Sequence, residues 1–184
     1  MSSVRWRCAR DGPTHVSGLV ISSAVADEVM AHARAELPNE ACGLLSGIGG
    51  GAARFHAARN IEASPFGFEM DAGDLLRILA GMERAGQELV AIVHSHPRSP
   101  AVPSARDIAE SHYPVIQLIV SLSDARATAR EALRGWRIED GIASEVSLLV
   151  EPDQQPLADR SSSEPARASM SSSTAQDPSS PPER

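Results

Sequence analysis

Two histidines and an aspartate form the pattern that can do chemistry in this chain. His94-Ser95-His96-Pro97 is followed by Ser104 and Asp107, so the chain reads H-x-H-P, a gap, then S-x-x-D. Two imidazoles and a carboxylate at this spacing can close on one zinc ion and leave a fourth position open for water, as a catalytic zinc site requires. Water held by zinc has its pKa lowered from 15.7 to about 7, which supplies hydroxide near neutral pH. Hydrolysis then needs a base for the water's proton and a donor facing the tetrahedral oxyanion. A lone H-x-H is more often a pair of ordinarily hydrogen-bonded histidines, and S-x-x-D is also a helix-capping pattern. The two uses of S-x-x-D are compatible, because a cap can fix the turn while Asp107 faces the metal.

The elements that must carry these residues are legible around them. Leu89 to His94 is strongly apolar and predicts a buried central strand, on which alternate residues His94 and His96 face one point. Ser95 between them faces the other way and is expected to pack or to bond backbone. Pro97 to Pro103 holds three prolines and predicts a loop, and Ser104 to about Ser111 a short helix. Upstream, Val16 to Ile21 predicts a strand. Ser22 or Ser23 caps a helix to about Glu36, with Val25, Val29 and Ala33 or Met30 inward. Pro38 stops it. Glu40 to Ser46 and Ala53 to Asn60 predict a hairpin around the glycines 47–51. Phe66 to Met70 predicts a short strand, and Asp71 to Ala85 a helix with Leu75, Leu79 and Met82 on one face. Val115 to Leu122, Leu133 to Ile138 and Val146 to Val150 predict further strands, the last two around Asp140-Gly141. The fold class expected is α/β (α+β), a single domain with a mixed, mostly antiparallel sheet flanked by helices.

The spacing H-x-H-x7-S-x2-D resembles the signature of the JAMM (MPN+) metallopeptidases, and Pro-Asn-Glu40-Ala-Cys-Gly-Leu-Leu-Ser-Gly resembles that family's upstream glutamate segment. The resemblance covers residues 16–150. It implies an MPN (cytidine-deaminase-like) fold in which His94, His96 and Asp107 ligate one Zn2+ per chain. It also implies Glu40 as general acid/base and Ser104 as the oxyanion donor. Glu36 is a competitor for the role of Glu40, but it lies in a helical pattern before Pro38. The short, insertion-free form resembles the bacterial branch that acts on small ubiquitin-like sulfur-carrier proteins ending in Gly-Gly. Members of that branch release cysteine or a short extension from the carrier. The carrier tail is expected to lie extended beside a sheet edge, adding a strand. Thr follows the second histidine in some sulfur-carrier enzymes, whereas Pro97 here matches the wider family. The alternative is a non-catalytic MPN-type scaffold, which a complete ligand set with Glu40 argues against. DNA-repair-associated and phage-tail relatives share the H-x-H-P core but carry further domains that are not seen here.

Composition narrows the partners. The chain has 184 residues and a formal charge of −7. Residues 151–184 hold nine Ser and six Pro and carry −3 of that charge. Such a segment buries too little apolar surface to offset its ordering entropy and is expected to be a disordered tail, as residues 1–15 are expected to be a flexible N-terminus. The domain in between carries −4, with no basic patch for nucleic acid. All 17 basic residues are arginine. The chain therefore offers no lysine amine for isopeptide attachment and is better suited to cutting such bonds than to carrying them. No apolar run approaches the roughly 18 residues of a membrane span, and Arg5, Arg7 and Arg10 interrupt any signal segment. The compartment expected is the cytoplasm. Cys8 and Cys42 make no disulfide framework. Cys42 is expected to be a small buried residue near the site, His56 a surface or satisfied histidine, His112 and Cys8 unremarkable, and Trp136 core. The oligomeric state stays open, a homodimer being compatible with this reading.

Overall fold

The described residues of the computed structural model are 18–49 and 51–153. The expected ragged start, with Val16 and Cys8, and the expected tail beyond Asp153 lie outside them. The first described strand is β1 (Gly18–Ser22). The Ser22 hydroxyl accepts the Val25 amide at 3.2 Å and opens α1 (Ser23–Ala35), which buries Val25, Ala26, Val29, Met30 and Ala33. A hairpin follows, β2 (Cys42–Ile48) and β3 (Gly51–Ala58), antiparallel with a register shift after Ser46. Asp71 caps α2 (Ala72–Arg84), whose deepest residues are Ile78 and Met82, with Leu75 and Leu79 half-buried.

The next strand, β4 (Glu88–His96), pairs with β2 on one side and with β5 (Ile116–Ser121) on the other. Between them lies α3 (Ala105–Ala109), shorter than expected. After a single turn, α4 (Ala129–Ala132), the chain closes with the hairpin β6 (Leu133–Glu139) and β7 (Ile142–Glu151). Its two-residue turn, Asp140-Gly141, has positive φ at both positions (50° and 76°), which suits the right-handed twist of the flanking strands.

The strands run β1-β3-β2-β4-β5-β6-β7 and form a closed barrel, because β1 lies parallel to both β3 and β7. Among the described residues four of the seven pairings are antiparallel and three parallel, so the sheet is mixed as expected. The main core fills the barrel side facing α1, around Leu19, Ile21, Val29, Leu45, Leu118, Val120 and Leu133. A second cluster, around Cys42, Leu44, Ile78 and Met82, lies under α2.

Two expectations fail here. Phe66 to Met70 is not a strand: only the single bridges Asn60–Met70 and Ser64–Gly67 form, because buried Asn60 takes up the backbone groups a ladder would use. Trp136 is half-buried rather than core, since its indole N–H reaches out to the Ala101 carbonyl at 2.8 Å. β4 itself offers no free edge, since it has a neighbour on each side.

Candidate metal centre

His94 and His96 close β4, where two sheet neighbours hold the backbone and alternation sends both rings to one side. They are 1% and 5% exposed. Asp107 arrives from the first turn of α3. The turn is held reciprocally: the Ser104 hydroxyl accepts the Asp107 amide at 3.2 Å, and the Ser104 amide donates to Asp107 Oδ2 at 2.6 Å. The carboxylate then faces both rings, with Oδ1 3.5 Å from His94 Nε2 and Oδ2 3.4 Å from His96 Nε2. One donor atom from each of the three residues lies within 4.8 Å of the others.

The nitrogens show what this space suits. His96 Nδ1 lies 2.8 Å from the Pro100 carbonyl, which can only accept, so Nδ1 carries a proton and Nε2 is the nitrogen turned toward Asp107. Neither nitrogen of buried His94 has a hydrogen-bond partner. A buried polar atom left unpaired costs about 1–3 kcal/mol. Burial also drives the His94 pKa down, so the ring is neutral, as a ligand must be. Burial pushes the Asp107 carboxyl up, but the His94 and His96 rings beside it and the Ser104 amide more than reverse this and hold it well below the usual carboxylate range. Two imidazoles and a firm carboxylate fit zinc, with a fourth position to spare.

Glu40 lies just ahead of β2 in extended backbone, with every backbone group near it spoken for. Its amide donates to the Ser64 carbonyl at 2.8 Å, and its carbonyl accepts from Asn60 Nδ2 at 2.9 Å. Ser95 faces away from the rings, as expected, and its hydroxyl takes the Ala41 amide at 2.8 Å while its own amide donates to the Ala41 carbonyl at 3.0 Å. That exchange joins the Glu40 segment to the histidine strand. The Glu40 side chain is 5% exposed and Oε2 has no partner. Burial pushes its carboxyl up to about 7, against the charge of His96, which pulls it down.

Several residues of the site carried no sequence signal. Asn60 uses all its side-chain bonds to shape the 60–70 segment: donors to Glu40 O and Gly67 O, acceptor from the amides of Glu62 and Glu69. Phe68 from that segment stacks on the His94 ring at 4.9 Å. Arg106 grips Glu62 with two bonds of 2.8 and 2.7 Å, and Gly67 leaves room for that guanidinium, since any Cβ there would overlap Arg106 Nη1. A cleft of about 590 Å³ runs from His94 and Asp107 along Phe68, Leu75, Leu79 and Ile92.

The remaining candidates are structural. Cys42 is buried, its thiol donates to the Ala58 carbonyl at 3.5 Å, and burial pushes it up to about 12. His56 is satisfied by Ser46 Oγ at 2.8 Å, and His112 is exposed.

The family model for prokaryotic homologs of the JAB domain matches residues 22–139. The chain belongs to the prokaryotic JAB-domain family. Within it, the CysO-cysteine peptidase of Mycobacterium tuberculosis is 36% identical over 148 residues, covering 77% of this chain and 95% of that protein. The desampylase of Haloferax volcanii is 33% identical over 122 residues, covering 62% of this chain and 88% of that protein. The solution structure of a protein from Desulfitobacterium hafniense superimposes with a TM-score of 0.67 at 31% identity, over 73% of this chain and 94% of that one. This JAB-domain protein is thus a short-form member of the JAMM/MPN+ group and a hydrolase of peptide or isopeptide bonds.

Proposed function

We propose that this protein is a zinc-dependent peptidase that hydrolyses the bond after the C-terminal Gly-Gly of a small ubiquitin-like sulfur-carrier protein, releasing cysteine or a short extension in the cytoplasm. The observation that carries the reading is the unpartnered, buried His94 ring facing Asp107 beside His96. The names of the mycobacterial and haloarchaeal relatives support the carrier as substrate class. Among the described residues no helix is long and apolar enough to cross a membrane.

His94, His96 and Asp107 would hold the zinc. Zinc held there would supply an acidified water and a polarised scissile carbonyl. The other steps belong to the chain. Glu40, with a carboxyl near pH 7, takes the proton of the attacking water at its free Oε2 and returns it to the leaving amine. The Ser104 hydroxyl only accepts within its cap, so its own proton remains for the oxyanion. The apolar cleft beside His94 keeps bulk water from the reacting groups and receives substrate. A Gly-Gly tail suits this approach because a chain without side chains can pass closely between the 60–70 segment and α3.

The test measures zinc content and follows, by mass spectrometry, a carrier bearing a C-terminal cysteine, with wild type and Glu40→Gln. One zinc per chain, with cysteine lost only in wild type, bears the proposal out. No zinc in carefully prepared protein overturns it. One zinc without cleavage rejects that carrier class.

A further inference from the structure

Three successive carbonyls of the loop after β4 are each held by a side chain from a different strand. Ser121 of β5 donates its hydroxyl to Ser99 O at 2.8 Å. His96 of β4 donates Nδ1–H to Pro100 O at 2.8 Å. Trp136 of β6 donates its indole N–H to Ala101 O at 2.8 Å. The Ser121 proton is committed to Ser99, so its bond with Ser123 at 2.8 Å has Ser123 as the donor. Pro97, Pro100 and Pro103 have no amide hydrogens, so these side chains add to what the loop's own backbone supplies, the Val102 amide donating to Pro100 O at 2.8 Å.

We propose that Trp136 and Ser121 are positioning residues for the metal centre. They fix the carbonyls on either side of Pro100, and so aim the carbonyl that holds His96 Nδ1–H and orients its ring. A Pro100 carbonyl free to swing would let the His96 ring turn, and Nε2 would lose its place toward Asp107. The proposal rests on the zinc reading for its affinity arm only. The proton-exchange arm stands in the metal-free protein.

Trp136→Phe keeps the ring and removes the N–H, and Ser121→Ala removes one half-buried hydroxyl. Zinc affinity is measured against a chromophoric chelator. The exchange of the His96 Nδ1 proton is read from the ring nitrogen spectrum of metal-free protein at pH 8. Loss of an outer-shell partner costs metal affinity about 10- to 100-fold, and about tenfold is expected for either variant, with the double variant weaker than both. Exchange of the Nδ1 proton should rise about tenfold, as expected of a bond whose support opens locally. A lower melting temperature with unchanged zinc affinity and unchanged exchange would mean ordinary structural bonds and would overturn the proposal. If wild type itself binds no zinc, the functional reading fails, and the exchange rate alone decides this one. Should Trp136→Phe fail to fold, Ser121→Ala gives the same two readings.

Discussion

Glu40 and Cys42 are two residues apart and have opposite chemical fates. Both are buried, but Glu40 keeps an unpartnered oxygen while the Cys42 thiol is turned onto a carbonyl. Glu40→Gln preserves shape and removes the proton carrier, so it should retain one zinc while turnover falls at least about 100-fold, the lower range for acid–base catalysis. Metal analysis beside a single-turnover assay checks both. The pH dependence follows in sign. A base must be deprotonated, and the Glu40 carboxyl lies up at about 7 without metal. A nearby cation favours the anion, so kcat/KM of the zinc-loaded enzyme should fall on the acid side with a midpoint below 7. Cys42, with its thiol pushed up to about 12, should resist iodoacetamide at pH 8 in the folded protein and react on unfolding, as read by peptide mapping. Labelling of native protein at Cys42 would contradict the burial described here.

Among the elements, the 60–70 segment does the most for the site with the least regular structure. Asn60 satisfies four backbone groups by itself. Asn60→Ala should cost about 2–3 kcal/mol, since water recovers only part of what those groups lose. It should also lower kcat more than KM, because the Glu40 carbonyl is one of the four; denaturation and steady-state kinetics separate these effects. Little of this was legible beforehand. The His94, His96 and Asp107 cluster could be picked out as a candidate metal site because chemistry restricts its residue types and spacing. The helices α1 and α2 showed caps and periodicity that survive in the structure. Phe66-Gly67-Phe68-Glu69-Met70 alternates like a strand, yet the pattern serves to place Phe68 on His94 and to clear space at Gly67 for Arg106. Trp136 looks like a core residue by type, and only its partner shows otherwise. The turn of α4, at four residues, is too short to have a period.

For the molecule as a whole, the unforeseen feature is closure of the barrel through β1. Parallel pairing of segments well over a hundred residues apart leaves no local pattern, because nothing in Leu19-Val20-Ile21 names Leu148-Leu149-Val150 as its neighbours. The end of the domain is correspondingly sharp. Asp153 accepts the Ser23 hydroxyl at 3.1 Å and the Ala24 amide at 3.2 Å, so it helps to cap α1. A chain cut after Asp153 should keep its zinc, its melting temperature within a degree or two and its hydrolysis. A chain cut after Glu139 should not fold, having lost the β7 wall. Circular dichroism and metal content distinguish the two, and a large loss on the longer truncation would show that residues 154–184 serve the site.

That same closure orders events during synthesis. His94, His96 and Asp107, the proposed ligands, have all left the ribosome once Asp107 has emerged, but the strand that seals the ring is made last. Until Glu151 follows, β1 lacks its longer partner and β6 has an open flank. Such edges invite pairing with other chains. A nascent polypeptide halted between these points owns the whole ligand set without Trp136, so it could take up metal before it has the wall that steadies the loop. Long-range closure of this kind is slow. Translation speed through β6 and β7 is therefore a natural control on how much of this protein matures and how much is lost to aggregation.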